Sequence, residues 1–216
     1  MAKRIIDMGK LKHFFEQSWL LIVSSFVFGL LLAATNYALE PTIRQNRIDK
    51  LNRLAKGLLL DAKHFIEVEE KMEIGGRRGK VEEVAVYRAV NENEECIGWN
   101  FTVSGSGFMD RIELVVAVDK DFKKFAGYDV LMSNETPNIG DEIKDKNHYF
   151  WKQFTKGVPV GPLKLITSGD PEKVDSEIVA ISGATISSEA VVRILNDTVG
   201  QIKEQMEKKG LISNGK

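Results

Sequence analysis

A run of 23 residues without charge, residues 17–39, constrains this chain more than any other feature. An α-helix rises about 1.5 Å per residue, so the run is long enough to cross a hydrocarbon core of about 30 Å. Trp19 and Tyr37 stand near its two ends, where aromatic side chains collect at membrane surfaces. A buried core helix would carry a polar face, and a signal peptide has a shorter apolar stretch. The run therefore predicts one uncleaved transmembrane helix over residues 17–39.

The flanks of this run give the orientation that we expect. Basic residues lie on both sides, so the count of positive charges does not decide between the two orientations. Long domains translocate largely regardless of charge, and the short N-terminal tail is therefore the better guide. We expect residues 1–16 to be a cytoplasmic tail and the remainder of the chain to lie outside.

Composition excludes several classes of protein. The 30 basic and 31 acidic residues give a net charge of −1, whereas a nucleic-acid-binding domain needs a basic surplus. Cys96 is the only cysteine, so the chain has neither an intrachain disulfide nor a thiolate-ligated metal cluster. The three histidines are far apart in sequence and show no ligand spacing. The sequence therefore predicts no metal site and no nucleic-acid partner.

The remainder of the chain predicts an α+β domain. Apolar residues at helical spacing over 42–60 predict an amphipathic helix, which with a linker fills residues 40–80. Short runs rich in β-branched and aromatic residues follow from residue 81 and predict an antiparallel or mixed sheet. One helix is expected around 148–154 and a last one over 187–209, before a flexible tail at 210–216. The sheet and its flanking helices would form one domain over residues 81–209.

The segment 181–188, I-S-G-A-T-I-S-S, comes directly before the last helix. Gly183 permits a tight turn, and Ser187 or Ser188 is expected to cap the helix. The N-terminus of a helix attracts anions, and the hydroxyl of Thr185 could bind a phosphate or be esterified by one. The residues alone favour a plain capped helix after a turn, because small-residue caps are common.

The S-G-A-T-x-S-S pattern before a terminal helix, in a chain with one N-terminal span, resembles the FMN-binding domain family. In that family the threonine of S-G-A-T is joined to FMN by a phosphodiester bond. The resemblance implies this covalent linkage at Thr185. It implies that the surrounding loop also contacts the cofactor, through Ser182, Gly183, Ala184, Ser187 and Ser188.

A second segment, N-E-T-P-N-I-G-D at 134–141, resembles the family's E-T-P-G-L-G loop, which lies against the flavin ring. The resemblance assigns flavin contacts to Glu135, Thr136, Ile139 and Gly140. A third segment, 104–119, resembles the family's glycine-rich turn and the strand after it. Asn138 stands where the family has glycine, and asparagine tolerates the left-handed backbone that such a turn needs. Val179 stands where the family's attachment signal has aspartate.

The resemblance implies a membrane-anchored flavoprotein subunit that relays electrons through covalent FMN in an ion-translocating ferredoxin:NAD oxidoreductase (Rnf) complex. Such a subunit works inside an oxidoreductase complex and has no independent catalytic activity and no catalytic residue of its own. Its partners would be integral-membrane and redox subunits, with a flavin transferase needed for maturation. Its place would be the cytoplasmic (inner) membrane of a bacterium or archaeon, with the FMN domain on the outer face. One alternative is the related FMN-carrying component of a sodium-translocating NADH:quinone reductase. Two others are a non-redox anchored module that binds a phosphorylated ligand and a stand-alone flavin-linked reductase of an extracellular acceptor.

Overall fold

The computed structural model describes residues 8–69, 71–75 and 81–212, with side chains from residue 16 onward. The described part holds three α-helices, nine strands and one 3-10 helix, Gly140–Lys144. The helices are α1 (Met8–Leu58), α2 (Tyr149–Thr155) and α3 (Thr185–Lys208). The strands are β1 (His64–Glu67), β2 (Met72–Gly75), β3 (Val81–Val84), β4 (Val86–Val90), β5 (Cys96–Ser106), β6 (Arg111–Asp119), β7 (Phe125–Met132), β8 (Lys164–Ile166) and β9 (Glu177–Val179).

The chain divides into two compact units at Asp49 and Lys50. The described part of the first unit is α1 up to Asp49, in which every side chain from Trp19 onward is exposed. Within the described residues, one helix is long and apolar enough to cross a membrane, by length and composition. Pro41 lies inside α1 without ending it. The predicted amphipathic helix is thus the C-terminal part of the same helix that contains the apolar run.

The second unit is built on a five-stranded antiparallel sheet in the order β1-β4-β5-β6-β7. Strands β4 to β7 follow one another in the chain and pair with their neighbours, as hairpin-connected strands do. The longest pairing, β5 with β6, runs from Gly98 opposite Asp119 to Ser106 opposite Arg111. Two smaller pairs complete the strands: β2 with β3, antiparallel, and β8 with β9, parallel. The predicted α+β class with a mixed set of strands is confirmed.

One face of the sheet holds the main core beneath α2 and α3. Tyr128 of β7 is fully buried there, and its ring meets that of Phe154 edge to face at 4.9 Å. Trp151 on α2 donates from its indole nitrogen to the carbonyl of Tyr128 over 2.7 Å. Such edge-to-face pairs stabilise beyond the area that they bury. Aromatic packing therefore fixes α2 against the last strand of the sheet.

The other face of the sheet is covered by the end of α1 and the residue after it. Leu58 and Leu59 pack over small residues, since a Cβ at Gly98 would lie 3.1 Å from Leu59 and one at Gly127 would lie 3.1 Å from Leu58. Ala89 and Ala117 are fully buried in the same cluster. Small side chains on the sheet thus leave room for the two leucines.

Three features differ from the sequence-based expectations. Strands β1 and β2 lie within residues 40–80, where the sequence predicted only a helix and a linker. The expected sheet from residue 81 is not a single one, since its first two strands, β3 and β4, belong to different sheets. Helix α3 begins at Thr185, two residues before the expected start. Some expectations concern segments outside the described residues. These are residues 1–7 of the expected cytoplasmic tail, residues 76–80 of the expected linker and residues 213–216 of the expected flexible tail.

Candidate functional site

The turn before α3 presents Thr185 at the surface. Gly183 has φ +81°, a left-handed conformation that glycine adopts without strain. A Cβ at Gly183 would meet no atom within 4 Å, so the space above the turn is open. Ser182 and Thr185 are exposed, whereas Ala184 between them is buried. Thr185 therefore carries its hydroxyl on the first residue of the helix, where backbone N–H groups have no partner within the helix.

The two serines expected to cap the helix, Ser187 and Ser188, do not cap it. The N-cap is Ala184, which makes no side-chain capping bond. Ser188 is buried within the first turn, accepts from the amide of Ile181 at 3.0 Å and donates to the carbonyl of Ala184 at 3.0 Å. Ser187 is buried and donates elsewhere, to Glu135. The expected cap is wrong because the helix starts two residues earlier, which places both hydroxyls inside the domain.

The loop after β7 turns sharply at Asn138. Its φ of +60° is left-handed, and its amide donates to the side chain of Asp141 at 2.8 Å. The expectation that asparagine preserves this turn is confirmed. The ammonium group of Lys144 lies 2.7 Å from the carboxylate of Asp141. The hydrogen bond between them is the main cause that lowers the pKa of Asp141. The loop thus has a fixed shape, with Thr136 half-buried and Ile139 exposed.

The glycine-rich turn between β5 and β6 lies beside this loop. The amide of Gly107 donates to the carbonyl of Asp110 at 2.7 Å and closes the turn. The side chain of Asn134 donates to the carboxylate of Asp110 at 2.8 Å. This hydrogen bond is the main cause that lowers the pKa of Asp110, and a second bond, from the amide of Arg111, lowers it further. The two loops are therefore joined side by side.

Glu135 brings the three segments together. It is only 4% exposed. Its Oε1 accepts from the amides of Phe108 at 2.9 Å and Met109 at 3.1 Å. Its Oε2 accepts from the hydroxyl of Ser187 at 2.5 Å. We call this arrangement the Glu135 junction, and it places the predicted site residues Glu135 and Ser187 in direct contact.

Two glycines make room for the Glu135 junction. A Cβ at Gly107 would lie 2.3 Å from Oε1 of Glu135. A Cβ at Gly140 would lie 2.6 Å from the hydroxyl oxygen of Ser187 and 3.1 Å from Cβ of Glu135. Gly140 therefore borders the buried carboxylate and not the open surface.

Four exposed apolar residues belong to the junction or lie next in the chain to a residue that contacts it, and we call them the apolar rim. Phe108 and Met109 donate their amides to Glu135, while Ile139 precedes Gly140 and Ile186 precedes Ser187. The side chains of these four residues are 49% to 64% exposed. The sequence analysis predicted a role for Ile139 alone among them. Phe108 and Met109 lie in the G-F-M of the segment that resembles the family's glycine-rich turn, and this was the signal that could have identified them.

The site suits a ligand with a phosphate and a flat apolar group. A phosphate joined to the hydroxyl of Thr185 would lie at the N-terminus of α3, where the helix dipole favours negative charge. The open space above Gly183 leaves room for it. The apolar rim offers the contact surface that a planar ring needs. The residues present therefore fit FMN.

The comparisons with known proteins agree with this geometry. Residues 107–200 match the FMN-binding domain family. The chain is 28% identical to the G subunit of the ion-translocating oxidoreductase complex of Methanosarcina acetivorans, over 86% of this chain and 92% of that one. It is 26% identical to the G subunit of the proton-translocating ferredoxin:NAD(+) oxidoreductase complex of Clostridium ljungdahlii, over 84% of this chain and 88% of that one.

Among solved structures, the fold is similar to that of NqrC from Shewanella oneidensis. The TM-score is 0.55 at 22% identity, over 70% of this chain and 72% of the other. A similarity at this level of identity establishes the fold. The segment that matches the FMN-binding domain family, residues 107–200, carries Glu135, Thr185 and Ser187.

Proposed function

We propose that this chain is a membrane-anchored, FMN-carrying subunit of an ion-translocating oxidoreductase complex of the Rnf type. The FMN-binding domain supports the cofactor, and the relatives from Methanosarcina acetivorans and Clostridium ljungdahlii, each matched over most of its length, support the complex. The apolar part of α1 supports the anchor. The observation that carries the proposal is the exposed hydroxyl of Thr185 on the first residue of α3, within the matched segment.

In this function Thr185 is the attachment point, through a phosphodiester bond to FMN. Bound FMN supplies the redox chemistry, since flavins accept and release electrons. Gly183 keeps the turn open, and the first turn of α3 holds the phosphate with its free N–H groups. The apolar rim excludes water from one side of the ring. The chain itself provides attachment and orientation and needs no general base.

The remaining parts of the proposal concern maturation and place. A flavin transferase would install FMN, and integral-membrane and redox subunits would deliver and remove the electrons. The N-terminus would be cytoplasmic, the span single and the FMN domain on the outer face of the cytoplasmic membrane. Covalent attachment suits that place because a dissociated flavin would be lost from an outer compartment. The chain would have no activity apart from the complex.

Mass spectrometry of the denatured chain, expressed with an active flavin transferase, tests the attachment. We expect wild type to carry the mass of FMN less one water on the peptide that contains Thr185. Thr185→Val is nearly isosteric but lacks the hydroxyl, so it should fold and carry no covalent flavin. Thr155→Val is the matched control, because it makes the same change at an exposed threonine of α2, outside this turn, and should leave the modification in place.

An unmodified wild-type chain in that host would contradict the covalent proposal and leave the turn as a plain helix start. Full modification of Thr185→Val would place the linkage on another residue.

A second candidate function is the equivalent component of a sodium-translocating NADH:quinone reductase, which the fold shared with NqrC favours. Identification of the integral-membrane subunits that copurify with the chain distinguishes the two.

A further inference from the structure

We propose that Glu135 is a positioning residue that holds the apolar rim in place around Thr185 and does not itself contact the cofactor. The inference rests on the proposed function, because it concerns the same site. Glu135 is 4% exposed, so its carboxylate lies behind the surface that would meet a flavin ring. Both oxygens of its side chain are engaged by protein donors: Oε1 by two amides and Oε2 by the hydroxyl of Ser187. Glu135 therefore differs from the flavin-contacting role that the resemblance implied.

The geometry of the Glu135 junction links the parts of the rim. Oε1 accepts from the amides of Phe108 and Met109, whose side chains form one part of the rim. Oε2 accepts from Ser187, the residue after Ile186 and two residues after Thr185. A carboxylate can accept several hydrogen bonds at once, and bonds to it are stronger than bonds to a neutral group. One side chain thus fixes the glycine-rich turn relative to the first turn of α3.

Two substitutions separate position from charge. Glu135→Gln removes the charge but keeps the shape, since the amide oxygen can accept from Phe108 and Met109 while its NH₂ group donates to the hydroxyl of Ser187. Ser187→Ala keeps the charge and breaks the link to α3. Glu135→Ala breaks both links. A positioning role predicts that Gln resembles wild type and that both alanine variants do not.

The first readout is hydrogen exchange of the amides of Phe108 and Met109, in the full chain in detergent without FMN. We expect Glu135→Ala to raise their exchange rates by about ten- to a hundredfold, the range for loss of a bond to a charged group. Ser187→Ala should raise them by about three- to tenfold, the range for loss of an ordinary hydrogen bond, and Glu135→Gln by about twofold or less. Thr198→Ala is the matched control, because it removes another buried hydroxyl of α3, one that bonds only to the carbonyl of Ile194, and should leave both rates unchanged.

The second readout is the visible circular dichroism of FMN attached to the same variants, which reports how the ring is held. We expect a changed spectrum in Ser187→Ala and Glu135→Ala and the wild-type spectrum in Glu135→Gln and Thr198→Ala.

If Glu135→Ala does not fold, Ser187→Ala decides, and wild-type rates and spectrum in that variant would overturn the proposal. A changed spectrum in Glu135→Gln with wild-type exchange would also overturn it, because the carboxylate would then act through its charge. Wild type without any FMN would contradict the proposed function, while the exchange rates would still test the junction.

Discussion

At the scale of single residues, the site depends on glycines that admit other side chains. Gly107 and Gly140 both lie against Glu135, and neither has a positive φ. Their requirement is therefore for space and not for backbone freedom. Gly183 and Asn138 show the other requirement, since both have a left-handed backbone. Sequence alone does not distinguish these two reasons for a small residue in a loop.

Gly107→Ala tests the requirement for space. The added Cβ would lie 2.3 Å from Oε1 of Glu135 and 2.7 Å from the carbonyl oxygen of Asp110, so one of them must move. We expect a loss of about 1–3 kcal/mol in the free energy of unfolding, the usual cost of overpacking. Urea unfolding followed by tryptophan fluorescence measures it. Gly161→Ala, where a Cβ meets nothing within 4 Å, should change the free energy by about 0.5 kcal/mol or less, and an equal loss in both variants would contradict this account.

At the scale of elements, the central strands were predictable and the start of α3 was not. The runs that became β5, β6 and β7 are rich in β-branched and aromatic residues, which indicates strands directly. Ser187 has the side chain of a good N-cap, and local rules therefore placed the helix start there. In the fold its hydroxyl bonds to Glu135, 52 residues away, and a local pattern contains no information about such a partner.

The same limit applies to the first two strands. Strand β1 reads HFIE and has no alternation of buried and exposed residues, so its sequence lacks the period of a half-buried strand. It forms because β4 offers a free edge, with His64 opposite Val90. Resemblance, and not periodicity, identified Glu135 and Thr185 as site residues. The resemblance did not show that Glu135 is buried, which only the packed loops reveal.

The contact between the end of α1 and the sheet gives a prediction at this scale. Leu59 is 9% exposed and packs over Gly98, whereas Leu60 is 85% exposed. We expect Leu59→Ala to lower the free energy of unfolding of the second unit by about 2–3 kcal/mol, through lost burial and a cavity. Leu60→Ala should change it by about 0.5 kcal/mol or less. Guanidinium unfolding of the two variants compares them directly, and equal effects would show that the leucine contact with the sheet does not stabilise the unit.

At the scale of the whole molecule, the chain combines one apolar helical unit with one folded domain. The first unit exposes the uncharged and mostly apolar side chains of residues 19–39, and soluble proteins rarely expose an apolar surface of this extent. A lipid environment resolves that conflict, because hydrocarbon is the solvent that such a helix needs. The second unit has its own buried core and a surface of mixed charge.

Thiol labelling in intact cells tests the proposed topology. Cys96 is the only cysteine, so Cys96→Ser leaves a background without thiols into which Leu60→Cys places one exposed reporter. With the domain on the outer face, a membrane-impermeant maleimide should label this reporter in intact spheroplasts. A cysteine in place of Lys10, within the expected cytoplasmic tail, should react only after lysis. Labelling of residue 10 and protection of residue 60 in intact spheroplasts would reverse the orientation.

The Glu135 junction also bears on the order of events during biosynthesis. It joins residues 107–109, 135 and 187, which lie far apart in the chain. The ribosome must therefore have made all of these segments before the turn that carries Thr185 can take its final form. On the proposed function, a transferase that recognises this folded turn would act only on completed domains. Flavin loading would then mark the chains that have folded correctly.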